Sequence, residues 1–155
     1  MEESESEKDR EGSCFTDFVG WIEKPLAYIS GPMMSQGNAY VNIKKAIDAA
    51  IYARNSGWSV IVPHLDCLFA MVSGIDGADY YLDNDFNQLS RCDAVLVLPF
   101  TEIPGCGTGQ ELDFAEFHGI PIYTQDTLPS ANVFNTLMEQ EEEALAHRTE
   151  LNADI

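Results

Sequence analysis

A chain of 155 residues, 45% of them hydrophobic and 10% aromatic, is long and apolar enough to bury one hydrophobic core. Its formal net charge of −18 repels phosphate backbones and anionic lipid, so the composition argues against nucleic-acid binding and membrane-surface binding. A small anion is still permitted, because a few backbone N–H groups can hold a phosphate locally.

Acidic residues are concentrated near the two ends of the chain. The segment MEESESEKDREGS carries six carboxylates against two cations, and EQEEEALAHRTELNADI carries a second cluster. We expect a solvated, mobile arm over residues 1–20, one domain over 21–147 and a tail over 148–155. The sequence shows neither the apolar core of a signal peptide nor a window long enough to span a membrane, which favours a cytoplasmic protein.

The cysteines indicate reduced thiols rather than a disulfide framework. Four are scattered along the sequence without a Cys-x-x-Cys pair: Cys14, Cys67, Cys92 and Cys106. His64 and Cys67 have a spacing that could suit a metal, but no second ligand pair stands elsewhere in the sequence. The sequence therefore predicts neither a metal site nor a cofactor.

The first half of the chain predicts a strand, a helix and a second strand. The strand LAYIS covers Leu26–Ser30, and WSVIV forms the second one. Between them, Asn38 is placed to cap a helix that Gly57 ends. The apolar face of that helix is predicted from residues at helical spacing: Val41, Ile43, Ala46, Ile47, Ala50 and Ile51.

The second half of the chain continues the alternation of strands and helices. Residues 66–77 are irregular with a short helix at CLFAMVS, and a helix then runs from Ala78 to about Arg91. The strand DAVLVLP is an uninterrupted apolar run, typical of burial on both faces of a sheet. A helix starting at about Gly109 and ending at Gly119 precedes the strand IPIYT, and a last helix begins at Ser130.

Strands that alternate with helices at this spacing predict right-handed crossovers and a parallel sheet with helices on both faces. We therefore predict a doubly wound α/β domain. In such sheets ligands bind beyond the carboxyl ends of the strands, near a switch point. This places three segments together at the carboxyl ends of the strands, an edge of the sheet that we call the rim: SGPMMSQGN, PHLD and TEIPGCGTGQE.

Glu111 follows a glycine-rich turn on that rim. Gly105, Gly107 and Gly109 let the backbone approach a ligand closely, although their spacing is not the dinucleotide-binding fingerprint. A helix that starts near Gly109 puts Glu111 in its first turn, where the helix dipole should keep the carboxylate ionised. Such a glutamate is either a nucleophile or a charge that stabilises the helix.

Asp85 supplies a second carboxylate, on the helix that leads into the third strand. A carboxylate nucleophile and a second carboxyl group that can share a proton are what cleavage of a glycosidic bond requires. Because successive side chains of a strand point to opposite faces of the sheet, Tyr28 and Ser30 lie on the same face of the first strand. From there, Tyr28 can orient Glu111. The alternatives are that Asp85 faces solvent and that Tyr28 is a core residue.

Besides the three glycines of the turn, five residues on the rim are candidates for substrate contact: Ser30, Gly31, Met33, Asn38 and His64. Asn38 either caps its helix or touches a sugar, and His64 either lines the pocket or has a structural role. Ser35 and the N–H groups of the glycine turn could receive an anion, without help from a cation. Cys106 lacks a nearby partner and is a weaker nucleophile candidate than Glu111.

Three blocks, YISGPM, NDFNQLSRCDAVLVL and GCGTGQELDFA, resemble the nucleoside 2-deoxyribosyltransferase superfamily, which includes the nucleoside 5′-monophosphate N-glycosidases. The resemblance covers residues 27–123 and implies a flavodoxin/Rossmann-like three-layer sandwich. It implies that Glu111 forms a covalent glycosyl–enzyme intermediate, with Asp85 near the leaving base and Tyr28 supporting the nucleophile. It also implies a small-molecule nucleoside or nucleotide substrate, transfer of the sugar to another base or to water, and a homodimer or higher homo-oligomer. The first block is also similar to small uncharacterised domains found in phage genomes.

The chain departs from the family pattern at three places. Gly105 stands where the family has Asp or Ser, Asp113 stands where it has glycine, and the first loop lacks the arginine that the hydrolases use for phosphate. The choice between a nucleoside and a monophosphate therefore stays open. Three alternatives to this enzyme also remain. The first is a catalytically silent domain that binds a nucleotide-derived ligand. The second is a phosphoribohydrolase of the cytokinin-activating type, whose signature the segment PGCGTGQE resembles, and the third is an acidic mimic of nucleic acid.

Overall fold

A computed structural model of the protein describes residues 24–34, 36–75, 78–103 and 105–153. The expected arm over residues 1–20 and the candidate anion ligand Ser35 lie outside these ranges. The elements are β1 (Leu26–Ser30), α1 (Ala39–Asn55), β2 (Ser59–Ile61), a 3₁₀ turn (Pro63–Leu65), α2 (Asp66–Ser73), α3 (Ala78–Leu89), β3 (Ala94–Val97), α4 (Gly107–Phe117), β4 (Ile122–Tyr123) and α5 (Ala131–Ala153). Helix α5 thus continues past residue 148, where the sequence predicts a tail. Within the described ranges, no helix is both long and apolar enough to cross a membrane.

The four strands form one parallel sheet in the order β2-β1-β3-β4. In the register of the central strands, Tyr28 lies opposite Ile61 of β2 and Val95 of β3, and Val95 lies opposite Ile122 of β4. The chain moves outward from β1 to β2 and then returns to place β3 on the other side of β1. The predicted doubly wound α/β fold is confirmed, and its switch point lies between the carboxyl ends of β1 and β3.

Alternation along β1 separates two hydrophobic layers. Ala27 and Ile29 face α1 and α5, in a core that includes Trp58 and Phe134, whose ring centroids are 4.7 Å apart. Tyr28 faces the opposite side of the sheet. There it packs in a second cluster of buried residues, drawn from α3, the turn that follows it, β3 and α4: Leu89, Cys92, Val95 and Ala115. The candidate site belongs to this second layer.

Helix α1 begins where the sequence predicts, because the Asn38 side chain accepts a hydrogen bond of 2.9 Å from the backbone N–H of Tyr40. Its buried face agrees with the predicted one at Ala46 and Ala50 but not at three of the larger residues. Val41, Ile47 and Ile51 are 46%, 38% and 52% exposed. The face that packs on the sheet consists of small residues and one amide: Asn42, Ala46, Ala49, Ala50 and Ala53. Alanines let the helix approach the sheet closely, so the larger apolar side chains do not mark the buried face.

Candidate active site

Glu111 is turned towards the sheet by the packing of α4. Thr108, Glu111 and Ala115 are the buried residues of this helix, at the i, i+3, i+7 spacing of one helical face. Ala115 packs against Tyr28 in the second core layer. The same face therefore carries the Glu111 carboxylate to the end of β1, where only 6% of the residue is exposed.

Two hydroxyl groups of β1 hold this carboxylate. The Tyr28 hydroxyl donates a hydrogen bond of 2.8 Å to Oε1 of Glu111, and the Ser30 hydroxyl donates one of 2.5 Å to Oε2. Both donors are fully buried. The alternation that the sequence predicts for Tyr28 and Ser30 thus brings both hydroxyls to one carboxylate and fixes its orientation.

The predicted position of Glu111 in the first turn of its helix is wrong. The helix starts at Gly107 rather than near Gly109, because the thiol of Cys106 caps it by accepting a 3.3 Å hydrogen bond from the backbone N–H of Gly109. Glu111 is consequently the fifth helical residue, beyond the reach of the strongest part of the helix dipole. Of the three glycines, Gly105 alone has a left-handed backbone, with φ of 76°, while Gly107 and Gly109 are helical.

The surroundings of Glu111 do not favour the ionised form that the sequence predicts. Burial raises the pKa of Glu111 to about 7, although the hydrogen bonds from Ser30 and Tyr28 oppose this change and the charge of Asp85 adds to it. The cost of removing the carboxylate from water outweighs the two donors. Burial, and then the charge of Glu111, raise the pKa of Tyr28, so its hydroxyl remains a donor at every physiological pH.

Asp85 lies on α3, one turn before the fully buried Leu89, and is itself half-buried. Its Oδ1 atom is buried and has no hydrogen-bond partner among the residues that the structure describes. Burial, with a smaller contribution from the charge of Asp66, raises the pKa of Asp85 to about 6. Asp85 is close enough to raise the pKa values of both Glu111 and Tyr28. Helices α3 and α4 thus bring two titratable carboxyl groups together at the end of β1.

The first loop of the rim is packed tightly against β3. A Cβ atom on Gly31 would lie 2.8 Å from the side chain of Leu98, so only glycine fits at this position. The Met33 carbonyl accepts a 3.1 Å hydrogen bond from the amide of Asn42. The side chain of Asn38 is engaged as the helix cap. These contacts give Gly31, Met33 and Asn38 structural roles at the rim, in addition to the substrate contacts that the sequence suggested.

Two amide residues that the sequence analysis missed hold the same loop. The Asn42 amide, which is buried, also donates a 2.7 Å hydrogen bond to the carbonyl of Gln36. The side chain of Gln36 donates to the carbonyl of Thr101 at 2.5 Å and accepts from its backbone N–H at 2.7 Å. The loops after β1 and β3 are therefore tied together beside the site. The only sequence signal was a polar residue, Asn42, between Val41 and Ile43.

His64 lies in the 3₁₀ turn after β2 and is 3% exposed. Burial lowers the pKa of His64, and the nearby backbone of Gly31 and Pro32 opposes this. Neither ring nitrogen makes a hydrogen bond of good geometry to any described residue. A neutral imidazole thus faces the first loop of the rim. In the described part of the chain, no group of three or more His, Cys, Asp or Glu side chains is arranged to hold a metal ion.

Comparison with known proteins finds a distant likeness in structure and none in sequence. No protein-family model matches the chain, and no curated protein matches its sequence. Among solved structures, the chain is similar to a 2-deoxyribosyltransferase from the psychrotolerant bacterium Bacillus psychrosaccharolyticus. The two share 17% sequence identity over 64% of this chain and 70% of the other, with a TM-score of 0.48. A likeness at this level assigns no activity to the chain, so the functional argument depends on the geometry of the site.

Proposed function

We propose that the protein cleaves the N-glycosidic bond of a nucleoside or nucleoside 5′-monophosphate, with Glu111 as the nucleophile. The observation that carries the proposal is a buried carboxylate held at both oxygens, by Tyr28 at 2.8 Å and by Ser30 at 2.5 Å, beside the second carboxyl group of Asp85. The two hydrogen bonds fix the direction in which this carboxylate can attack. Because the group is buried, no hydration shell has to be displaced before the attack.

The reaction divides the chemistry between the two carboxyl groups. Glu111 attacks C1′ of the sugar while the bond from C1′ to the base nitrogen breaks, through a transition state with oxocarbenium character. The electron pair of that bond leaves with the base, which takes a proton from Asp85 and departs as a neutral molecule. A second base or a water molecule then attacks C1′ of the glycosyl–Glu111 ester, returns its proton to Asp85 and regenerates the carboxylate.

The charge of the rim bears on the choice of substrate. The rim segments SGPMMSQGN, PHLD and TEIPGCGTGQE contain no lysine or arginine, and the buried His64 is kept neutral by its lowered pKa. A phosphate dianion would therefore meet the carboxyl groups of Glu111 and Asp85 without a compensating cation from these three segments. This favours the uncharged nucleoside over the monophosphate and disfavours the phosphoribohydrolase alternative, whose substrate is a monophosphate.

Chromatography of the protein incubated with deoxynucleosides, ribonucleosides and their 5′-monophosphates tests the proposal. We expect free base in the presence of water, or a new nucleoside when a second base is added, and we expect Glu111→Gln to abolish both products. A slow 2-fluoro-substituted nucleoside should leave a sugar attached to Glu111, which mass spectrometry of peptides can locate. Absence of turnover on every substrate, together with tight binding of an intact nucleotide, would instead establish the silent binding domain.

A further inference from the structure

Helix α5 packs on the domain at its beginning and is exposed along the rest of its length. Ala131 and Phe134 are buried in the core that includes Trp58, at 6% and 4% exposed. Every residue from 136 to 149 is exposed, over a length of about 20 Å at the rise of an α-helix. Helices in folded proteins gain most of their stability from the packing of one face. Within the described ranges this part of α5 has no such packing, which makes it a candidate surface for a partner.

The exposed part of α5 combines an apolar stripe with a run of carboxylates. Met138 and Leu145 follow Phe134 at i+4 and i+11, which places the three side chains on one face of the helix. Met138 is 36% exposed and Leu145 is 66% exposed. Like charges at i and i+3 or i+4 destabilise a helix, so positive charge from a partner would stabilise this one. The carboxylates belong to four residues: Glu139, Glu141, Glu142 and Glu143.

A groove of about 540 Å³ adjoins the start of this stripe. Pro25 and Asp93 precede β1 and β3, so the groove lies at the amino ends of the strands, at the opposite edge of the sheet from Glu111. Its lining includes three carboxylates against one ammonium group, that of Lys24, together with three apolar side chains: Asp93, Glu139 and Glu142, and Pro25, Phe134 and Met138. The groove therefore repeats the chemistry of the exposed helix, apolar side chains beside an excess of negative charge.

The charge of the chain decides between possible occupants of this surface. A second copy would bring another charge of −18 and a second run of glutamates, and nucleic acid and anionic lipid carry the same sign. A metal ion or a polyamine would neutralise the carboxylates but leave Met138 and Leu145 exposed to water. A basic amphipathic helix matches both features, because its apolar face covers the stripe while its cations meet the carboxylates.

We propose that the exposed face of α5, together with the groove beside it, binds a basic amphipathic helix of a partner protein. Apolar side chains of the partner pack on Met138 and Leu145, and its lysine or arginine side chains lie near Glu139 and Glu142. This surface is separate from the carboxyl ends of the strands, so the inference does not depend on the proposed function.

A fluorescence anisotropy titration of the full chain tests the proposal. The probe is a labelled peptide of lysine and leucine, about 15 residues long to match the exposed part of α5, with its leucines on one helical face. The matched control has the same composition and charge, with the leucines spread around the helix. At physiological ionic strength, where exposed charges are screened beyond about 8 Å, we expect the amphipathic peptide to bind about tenfold more tightly or better. Equal affinity for the two peptides would mean only a general attraction between opposite charges and would overturn the proposal, as would no binding of the amphipathic peptide.

A pair of apolar variants locates the binding. Met138→Ser combined with Leu145→Ser should weaken binding of the amphipathic peptide about tenfold, because burial of each such side chain contributes about 1.5–3 kcal/mol and 1.4 kcal/mol is tenfold in affinity. Met71→Ser combined with Val72→Ser is the control, since these residues of α2 are 77% and 81% exposed and lie outside the groove. Circular dichroism should show both variants folded, because all four side chains are exposed. Binding that survives the α5 variant, or that the α2 variant weakens equally, would refute the assignment.

A pair of charge variants tests the electrostatic part. Glu139→Gln combined with Glu142→Gln should weaken binding and reduce its dependence on salt concentration. Asp113→Asn combined with Glu116→Gln makes the same change of charge at exposed positions of α4, so it should alter both quantities less. The same loss of affinity in both variants would show that the peptide responds to net charge alone, against a site on α5.

Discussion

Replacing Glu111 with glutamine should make the protein more stable at alkaline pH. The pKa of the carboxyl group rises from its ordinary value of 4.5 to about 7 in the folded protein. Between these two pH values the folded state keeps a proton that the unfolded state has lost, so the free energy of unfolding falls as the pH rises through this window. The two pKa values differ by about 2.5, and each unit corresponds to about 1.4 kcal/mol. Glutamine has the same shape without the charge, so Glu111→Gln should gain up to about 3 kcal/mol at pH 8.

Urea denaturation of both proteins from pH 4.5 to pH 8.5, followed by tryptophan fluorescence, to which the buried Trp58 contributes, measures this difference. Near pH 4.5 the two stabilities should be close, because Glu111 is then protonated in the fold. Glu116→Gln is the matched control, since Glu116 is exposed on the same helix and its replacement should give no such trend with pH. The reasoning is refuted if the difference does not grow with pH, or if Glu111→Gln is the less stable protein at pH 8.

Three further changes test the surroundings of the site. Asp85→Asn removes a charge that raises the pKa of Glu111, so the pH-dependent fall in unfolding free energy should move to lower pH; an unchanged midpoint would contradict the proximity of the two groups. Gly31→Ala should cost about 1–3 kcal/mol in urea denaturation, because the new Cβ lies 2.8 Å from two atoms of the Leu98 side chain, whereas Gly107→Ala, whose new Cβ comes no closer than 3.8 Å to Leu82, should not lower the stability. Gln36→Ala removes two hydrogen bonds to the backbone of Thr101, so the amide of Thr101 should exchange with deuterium faster, and equal protection in both proteins would count against this link between the loops.

The sequence predicts the elements of the second core layer well because their signals are local. Alternation in LAYIS is sufficient to place Tyr28 and Ser30 on one face, and the apolar run AVLV is sufficient to bury β3 on both sides. The sequence does not predict the start of α4 correctly, because Gly107 is a poor helix former and Cys106 is an uncommon cap. That error of two residues, from Gly109 to Gly107, placed Glu111 in the first turn of the helix.

The electrostatics of the site depend on tertiary packing and could not be predicted from local patterns. The pKa of Glu111 is set by how completely α4 covers it and by the closeness of Asp85 on another helix. The contacts of Gln36 with Thr101 join residues that are 65 positions apart. Likewise, the buried face of α1 consists of alanines, which carry too little hydrophobic signal to compete with Ile47 and Ile51 in a periodicity analysis.

The resting protonation of the site bears on how the proposed reaction gains its rate. The bond breaks when Glu111 is ionised and Asp85 is protonated, yet burial raises the pKa of Glu111 to about 7 and that of Asp85 to about 6. Both carboxyl groups are thus raised towards neutral pH, where one of them can be ionised while the other keeps its proton. Positive charge that develops at C1′ favours the ionised form of Glu111, and a departing base nitrogen that accepts a hydrogen bond favours the protonated form of Asp85. In the proposed reaction, both groups would therefore interact more favourably with the transition state than with the resting substrate, which is the condition for acceleration of the chemical step.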